Sequence, residues 1–225
     1  MQAELINYLK DFVTEERYNL FLDKIQFRTD YITVVLEDIY QPHNASAVLR
    51  TCDCFGIQDV HIIENRNKYK VNPDVALGSF KWLDLIKHNS QDKNTLQTIK
   101  DLKKQGYRIV ATTPHTNDVL LDDFDLTKGK AALFFGTELQ GLSQEMMDNA
   151  DEFLRIPMYG FTESFNISVS AALVLHNLSE RLRKSNINLQ LSEDKKNAVL
   201  LNWLRNTIKK SENIENQFLR NKKGI

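Results

Sequence analysis

Apolar residues along this chain repeat with two different periods, and the switches between them mark its elements. Thr33-Val34-Val35-Leu36 is a β-branched apolar run that predicts a strand. Residues 45–55 place apolar side chains at helical spacing, predicting a helix that Gly56 ends from the C′ position, and residues 59–63 return to a strand. The alternation recurs downstream. Residues 82–87 read as a strand, 94–104 as a helix closed by Gly106, and 107–112 as a strand. Residues 131–135 are apolar without interruption, which predicts a strand buried on both faces; a short helix at 143–149, a strand at 153–156 and a long helix at 167–183 follow. Strands separated by helices need crossover connections, so the expected class is α/β with a mostly parallel sheet covered on both sides.

The flanks carry another pattern. Residues 2–27 predict two amphipathic helices, the first presenting Leu5, Leu9, Phe12 and Val13, the second Tyr18, Phe21, Leu22 and Ile25, with Thr14 as the N-cap between them. Beyond a polar stretch at 185–190 come a helix with Leu200, Trp203, Leu204 and Ile208 and a short helix with Ile214 and Phe218. Helical extensions at 1–28 and 185–225 thus flank a domain at 29–184.

Composition narrows the class. With 225 residues and 42% hydrophobic content, the chain can bury a sizeable core. No run approaches the roughly 18 apolar residues of a membrane span, and the acidic first segment lacks the apolar stretch of a secretory signal. The expectation is a cytoplasmic protein with no membrane partner. Cys52 and Cys54 diverge on a helix, so neither a disulfide nor a zinc site is expected, and both read as packing residues. Net charge is -1 but unevenly spread: residues 181–225 hold eleven Lys and Arg against four Asp and Glu, a net of +7. Such a segment is either a solvated helix face or a phosphate-contacting arm, the latter using Lys195, Lys196, Arg205, Lys209 and Lys210.

Common catalytic signatures fail on spacing. There is no G-x-G-x-x-G, H-E-x-x-H or G-x-S-x-G; Gly136 and Gly141 fit the frame of a phosphate loop, but Leu142 and Ser143 stand where Lys and Ser/Thr are needed. The five histidines, 43, 61, 88, 115 and 176, are too dispersed for a metal cluster, and no metal is expected. What remains are three segments at strand ends, where open α/β sheets bind ligands. In the first, residues 42–56, Asn44 reads as an N-cap or a functional amide, and Arg50 as a surface ion pair with Asp53 or Asp59 or as a free cation. In the second, residues 133–143, Glu138 sits in a loop bounded by Gly136 and Gly141, either exposed or orienting the loop through backbone amides. In the third, residues 156–172, a Pro and a Gly precede a polar cluster and a helix start, where Asn166 can cap and Ser168 and Ser170 can pack.

Together these segments read N-x-x-x-x-x-R-x-x-x-x-x-G, G-x-E-x-x-G-L-S and I-P-M-x-G-x-x-E-S-x-N-I-S-V-S-A-A, and in that order they resemble the three motifs of the SpoU/TrmH RNA 2′-O-methyltransferases. The resemblance covers about residues 33–183. Short N-terminal helices, Gly78-Ser79 before Lys81-Trp82, and the basic tail look like the branch that acts on guanosine 18 of tRNA. Relatives acting on large-subunit ribosomal RNA usually carry an N-terminal domain of roughly 70 residues or more, and the small wobble-base relatives lack the tail.

The resemblance implies a SPOUT-type α/β fold with a trefoil knot in the C-terminal half of the sheet, a homodimer, and S-adenosylmethionine as cofactor. It implies cofactor contacts from Thr112, Thr113, Gly136, Ile156, Met158, Ser164 and Phe165, and a catalytic set of Asn44, Arg50, Glu138, Ser164 and Asn166. Arg50 would also contact RNA, with the tail binding tRNA. Thr137 and Phe165 depart from the usual Ala or Asn and Leu, which bears on cofactor affinity more than on chemistry. The reaction removes a proton from a ribose hydroxyl as it attacks an activated methyl, and positioning does most of the work. Within the family Arg50 would be a base, yet a guanidinium with a pKa above about 12 is a poor proton acceptor. A fixed cation beside the developing alkoxide is the physically preferred role. Other readings are methylation elsewhere on tRNA or on ribosomal RNA, a noncatalytic RNA-binding factor of the same fold, and a nucleotide-binding oxidoreductase, which the missing glycine fingerprint disfavours.

Overall fold

The computed structural model describes residues 1–69, 76, 78–114 and 119–223. Its elements are α1 (Gln2–Leu9), α2 (Glu15–Ile25), β1 (Ile32–Glu37), α3 (Pro42–Phe55), β2 (Asp59–Ile63) and β3 (Asp84–His88). Then come α4 (Thr95–Lys104), β4 (Arg108–Thr112), β5 (Val119–Leu120), β6 (Ala131–Phe135), α5 (Gln144–Asn149) and β7 (Glu152–Arg155). Further along, among the described residues, are the α-helices α6 (Ile167–Lys184), α7 (Glu193–Thr207) and α8 (Ser211–Lys223). They fall into two compact units, Thr29–Leu189 and a helical one made of Met1–Arg28 with Gln190–Ile225.

In the larger unit seven strands form one sheet in the order β3-β2-β1-β6-β4-β7-β5, every pair parallel. Alternate residues of the central strands enter separate cores. Val34, Leu36, Leu133 and Phe135 pack with Val48 and Leu49 of α3 and Val174 and Leu178 of α6. Val35, Ala132 and Phe134 pack with Ile99 and Leu102 of α4 and Met146 of α5. Helices on both faces explain why β1 and β6 are buried along their whole length. Gly56 ends α3 at φ 77°, the left-handed conformation expected at C′. The two-residue β5 was not signalled by periodicity, being too short to show one.

The helical unit packs around Trp203, which is buried with its ring edge-on to Phe21 at 5.6 Å and the Arg28 guanidinium 5.1 Å above it. Thr14 caps α2 as expected, accepting from the Arg17 amide at 3.2 Å. The expected apolar faces of the first helices shift: Phe12 and Leu22 are exposed, and Ile6, Leu9, Phe21 and Ile25 are buried. Cys52 is buried, but Cys54 is exposed, because it sits two residues on and therefore off the packed side of α3.

Candidate active site

Successive strands step outward from β1 through β2 to β3, and the later strands build on its other side from β6. The crevice at such a reversal lies outside the carboxyl ends of the strands and is where doubly wound sheets take ligands. Each of the three segments singled out in the sequence lands there. After β1 the chain turns sharply at Asp38, in the left-handed region at φ 54°, whose carboxylate accepts from the backbone amides of Asn65 and Arg66 at 2.8 Å and of Asn67 at 3.2 Å. Helix α3 then begins at Pro42, three residues earlier than expected, since a residue without an N–H suits a first turn. Gln41, not Asn44, is therefore the N-cap residue.

Lying inside the first turn, Asn44 sends its Nδ2 to Glu138 Oε1 at 2.9 Å and to Gln41 Oε1 at 2.9 Å. Asn166 joins them, donating from Nδ2 to Asn44 Oδ1 at 3.2 Å and to Glu138 Oε1. One residue from each segment thus meets in a single cluster. Glu138 accepts from these side-chain amides rather than from the backbone amides expected of it. Asn166 also caps α6, its Oδ1 accepting from the Ser168 amide at 2.9 Å and from Ser168 Oγ at 2.5 Å, so capping and cluster roles coexist in one side chain.

The loop that carries Glu138 is folded back on itself. Thr137 and Gly141 exchange backbone hydrogen bonds of 3.0 and 2.9 Å, and a Cβ at Gly136 would collide with the backbone of Gly141 and Leu142. Thr137 contributes its hydroxyl, which accepts from the Gln140 amide at 3.1 Å. The far end is held by Glu37, a residue that motif spacing does not single out. Its buried carboxylate accepts from Ser143 N at 2.8 Å, Ser143 Oγ at 2.7 Å and Thr95 Oγ1 at 2.6 Å. An acidic residue closing an otherwise apolar strand was the available signal.

Beside this loop a cavity of about 400 Å³ opens at the ends of β4, β6 and β7. Thr112, Thr113 and Gly136 line it, as do Ile156, Met158, Ser164 and Phe165, so all seven residues assigned to the cofactor by resemblance share one wall system, which Glu138 also reaches. Thr112 Oγ1 donates to the Phe134 carbonyl at 2.7 Å, tying β4 to β6 at the rim. Apolar walls from Leu142, Leu154 and Val174 beside loop backbone suit an organic ligand with a flat apolar part and polar edges, and the volume lies within the usual range for such ligands. The residues present therefore fit a nucleoside-bearing cofactor.

Arg50 stands apart from the cluster, six residues along α3 from Asn44, exposed and without an ion pair or hydrogen bond among the described residues; neither expected carboxylate partner engages it. The basic tail divides. Arg205 forks onto Glu215 with two bonds of 2.7 Å, and Lys196 pairs with Glu193 at 2.8 Å, so both serve the helical unit itself. Lys209 and Lys210 are exposed, with Lys210 in the left-handed region at φ 57°. Lys195 supplies the backbone amide that Ser192 caps at 3.3 Å. His115 lies outside the described residues, and among those described no three His, Cys, Asp or Glu side chains gather to hold a metal, nor is any helix long and apolar enough to cross a membrane.

A parallel sheet with a nucleoside-sized cavity outside the ends of β4, β6 and β7, and an amide–carboxylate cluster beside it, is an α/β architecture suited to a nucleotide-like ligand. Residues 31–176 match the SpoU rRNA methylase family, and the chain belongs to that family. A tRNA (guanosine(18)-2′-O)-methyltransferase of Borreliella burgdorferi is 45% identical over 211 residues, 94% of each chain. One from Thermus thermophilus is 32% identical over 194 residues, 85% of this chain and 97% of the relative. The crystal structure of the Aquifex aeolicus TrmH/SpoU tRNA modifying enzyme superposes with a TM-score of 0.77 at 30% identity, over 87% of this chain and 98% of that one.

Proposed function

We propose that this protein transfers the methyl group of S-adenosylmethionine to the 2′-hydroxyl of guanosine 18 in tRNA. The observation that carries this is the meeting of Asn44, Glu138 and Asn166 at the rim of a cofactor-sized cavity, in a chain nearly half identical along its length to a relative of that activity. The cofactor would lie against Thr112, Thr113, Gly136, Ile156 and Met158, with Ser164 and Phe165 at its mouth. When bound, it supplies a methyl on a positively charged sulfur.

The protein's own residues then have modest tasks. Glu138 holds the two asparagines in fixed orientations, so that Asn44, Asn166 and Ser164 can align the ribose at the cavity mouth. Arg50 acts as a fixed cation that engages a substrate phosphate and stabilises the developing alkoxide, with water or a phosphate oxygen taking the proton. Lys209 and Lys210, together with Lys195, supply backbone contacts to the tRNA, while Arg205 and Lys196 shape the helices that present them.

Two further assignments complete the reading. The protein works as a homodimer, supported by the exposed apolar side chains of Phe165, just before α6, and of Val169 and Leu173 on its first two turns. Its chain is knotted between β4 and α6, supported by a cavity drawn from the segments that follow β4, β6 and β7. A protein with this substrate acts in the cytoplasm. Incubation with labelled cofactor and unmodified tRNA, followed by mass-spectrometric mapping, is expected to find ribose methylation at guanosine 18. Methyl at another tRNA position or on ribosomal RNA would redirect the assignment, and cofactor-independent RNA binding alone would make the protein a noncatalytic factor.

A further inference from the structure

The loop between β7 and α6 holds two aromatic side chains out in solvent. Tyr159 is 95% exposed and Phe161 fully so, one on each side of Gly160. The loop is nevertheless fixed at both ends to the candidate site: Met158 and Ser164 line the cavity, and Asn166 belongs to the amide–carboxylate cluster. We infer that Tyr159 and Phe161 form a stacking platform for an unpaired nucleobase of the RNA substrate beside the ribose being methylated.

This rests on the methyltransferase reading above and adds how the nucleotide is held. A ribose hydroxyl enters the mouth of a recessed cavity when its nucleotide leaves the stack of its neighbours, and the lost stacking has to be replaced. Aromatic faces replace it for any base. The loop's composition favours a base over the other candidates. Glu163, exposed two residues beyond Phe161, repels phosphate, so the loop does not track the backbone. Exposed Thr162 and Ser164 follow the aromatics with polar groups, as a hydrated RNA contact requires. A second copy of this chain is better served by the exposed apolar set Phe165, Val169 and Leu173.

The test compares wild type with the double variant Tyr159→Ala/Phe161→Ala and the aromatic exchange Tyr159→Phe/Phe161→Tyr, using tRNA transcripts. The alanine variant is expected to raise the tRNA dissociation constant and lower kcat/KM by about 5- to 150-fold, the span for one lost base stack. Cofactor affinity by calorimetry, thermal midpoint and sedimentation should stay at wild-type values, and the aromatic exchange should restore tRNA affinity. Unchanged tRNA affinity and kcat/KM in the alanine variant would overturn the inference while leaving the methyltransferase reading intact. So would failure of the aromatic exchange to restore binding. A fall in oligomeric state would instead assign the pair to a subunit contact. If wild type binds tRNA but transfers no methyl, the enzymatic reading fails on its own and the dissociation constants still decide the stacking.

Discussion

Glu138 Oε1 accepts from two amides that arrive from residues 94 and 28 positions away in the chain, while Arg50 has no ion pair or hydrogen bond among the described residues. The contrast separates a residue held within the cluster from one left open to solvent, which the proposed reaction gives to a substrate phosphate. Arg50→Ala should therefore leave the thermal midpoint and cofactor binding unchanged and lower turnover by about 10² to 10⁴, the range for one lost acid–base or electrostatic group. Arg50→Lys should recover part of that rate if charge suffices, and wild-type rates for Arg50→Ala at saturating substrates would remove it from the site. A second residue-scale effect lies away from the cavity. His88 stacks on His61, their ring nitrogens 2.9 Å apart, and burial pushes its pKa below the usual imidazole value, with Asp101 pulling weakly the other way. The unfolded chain thus takes up this proton at higher pH than the folded one. Stability from this site is present above pH about 6.5 and is lost as pH falls below it. Proton NMR titration should find the His88 ring midpoint below that of an unstructured histidine, and a midpoint at or above it would sink the claim.

At the scale of elements, α5 begins where Glu37 grips Ser143, and this grip fixes the end of the loop carrying Gly136 and Glu138. Glu37→Gln keeps the shape but turns an amide toward donors that need acceptors. Cofactor affinity should fall by about 5- to 150-fold, corresponding to 1–3 kcal/mol for a buried unsatisfied group. Equal losses in thermal stability and cofactor binding, with no change once the enzyme is saturated, would reduce Glu37 to a general support. The turn between α7 and α8 makes another case. Charge reversal at Lys209 and Lys210 spares the buried face of Trp203 and Leu204, so tRNA affinity should drop and its log–log salt slope should flatten by about 0.9 for each phosphate no longer neutralised. A salt titration matching wild type would leave the turn without a role in RNA binding.

Local elements were legible because their signals are local. The apolar runs of β1 and β6, Thr14 before α2 and Gly56 after α3 each act within a few residues. Strand order was not, because β4 leaves its neighbour β3 and joins β6 across β2 and β1, a choice that no window of sequence contains. The cluster was legible only in part. Motif spacing named Asn44, Glu138 and Asn166 but left a helix cap open for Asn44, because apolar spacing starts the helix at Ala45 and leaves unused the signal of Pro42, a residue suited to a first helical turn. Glu37 escaped because its burial depends on Ser143 and Thr95, 106 and 58 residues distant.

For the whole molecule, subunit assembly gives the sharpest expectation. Leu173→Glu places a charge at the α6 end of the exposed set Phe165, Val169 and Leu173, on a side chain that faces solvent in one copy, and so does not disturb that copy's core. Sedimentation should find wild type as dimer and the variant as monomer at micromolar concentration, with near-native circular dichroism. A wild-type monomer would refute the assignment directly. The helical unit carries a consequence for synthesis. Its apolar surface is shared between residues 1–28 and 190–225, with Phe21 meeting Trp203. During translation Leu9, Phe21 and Ile25 emerge first and stay uncovered for roughly ten to thirty seconds, while the ribosome makes everything up to α7. The last strand ends at Arg155, so the whole sheet is synthesised before Trp203 exists to cover Phe21, and the two halves of the helical unit meet only after the domain between them has been made.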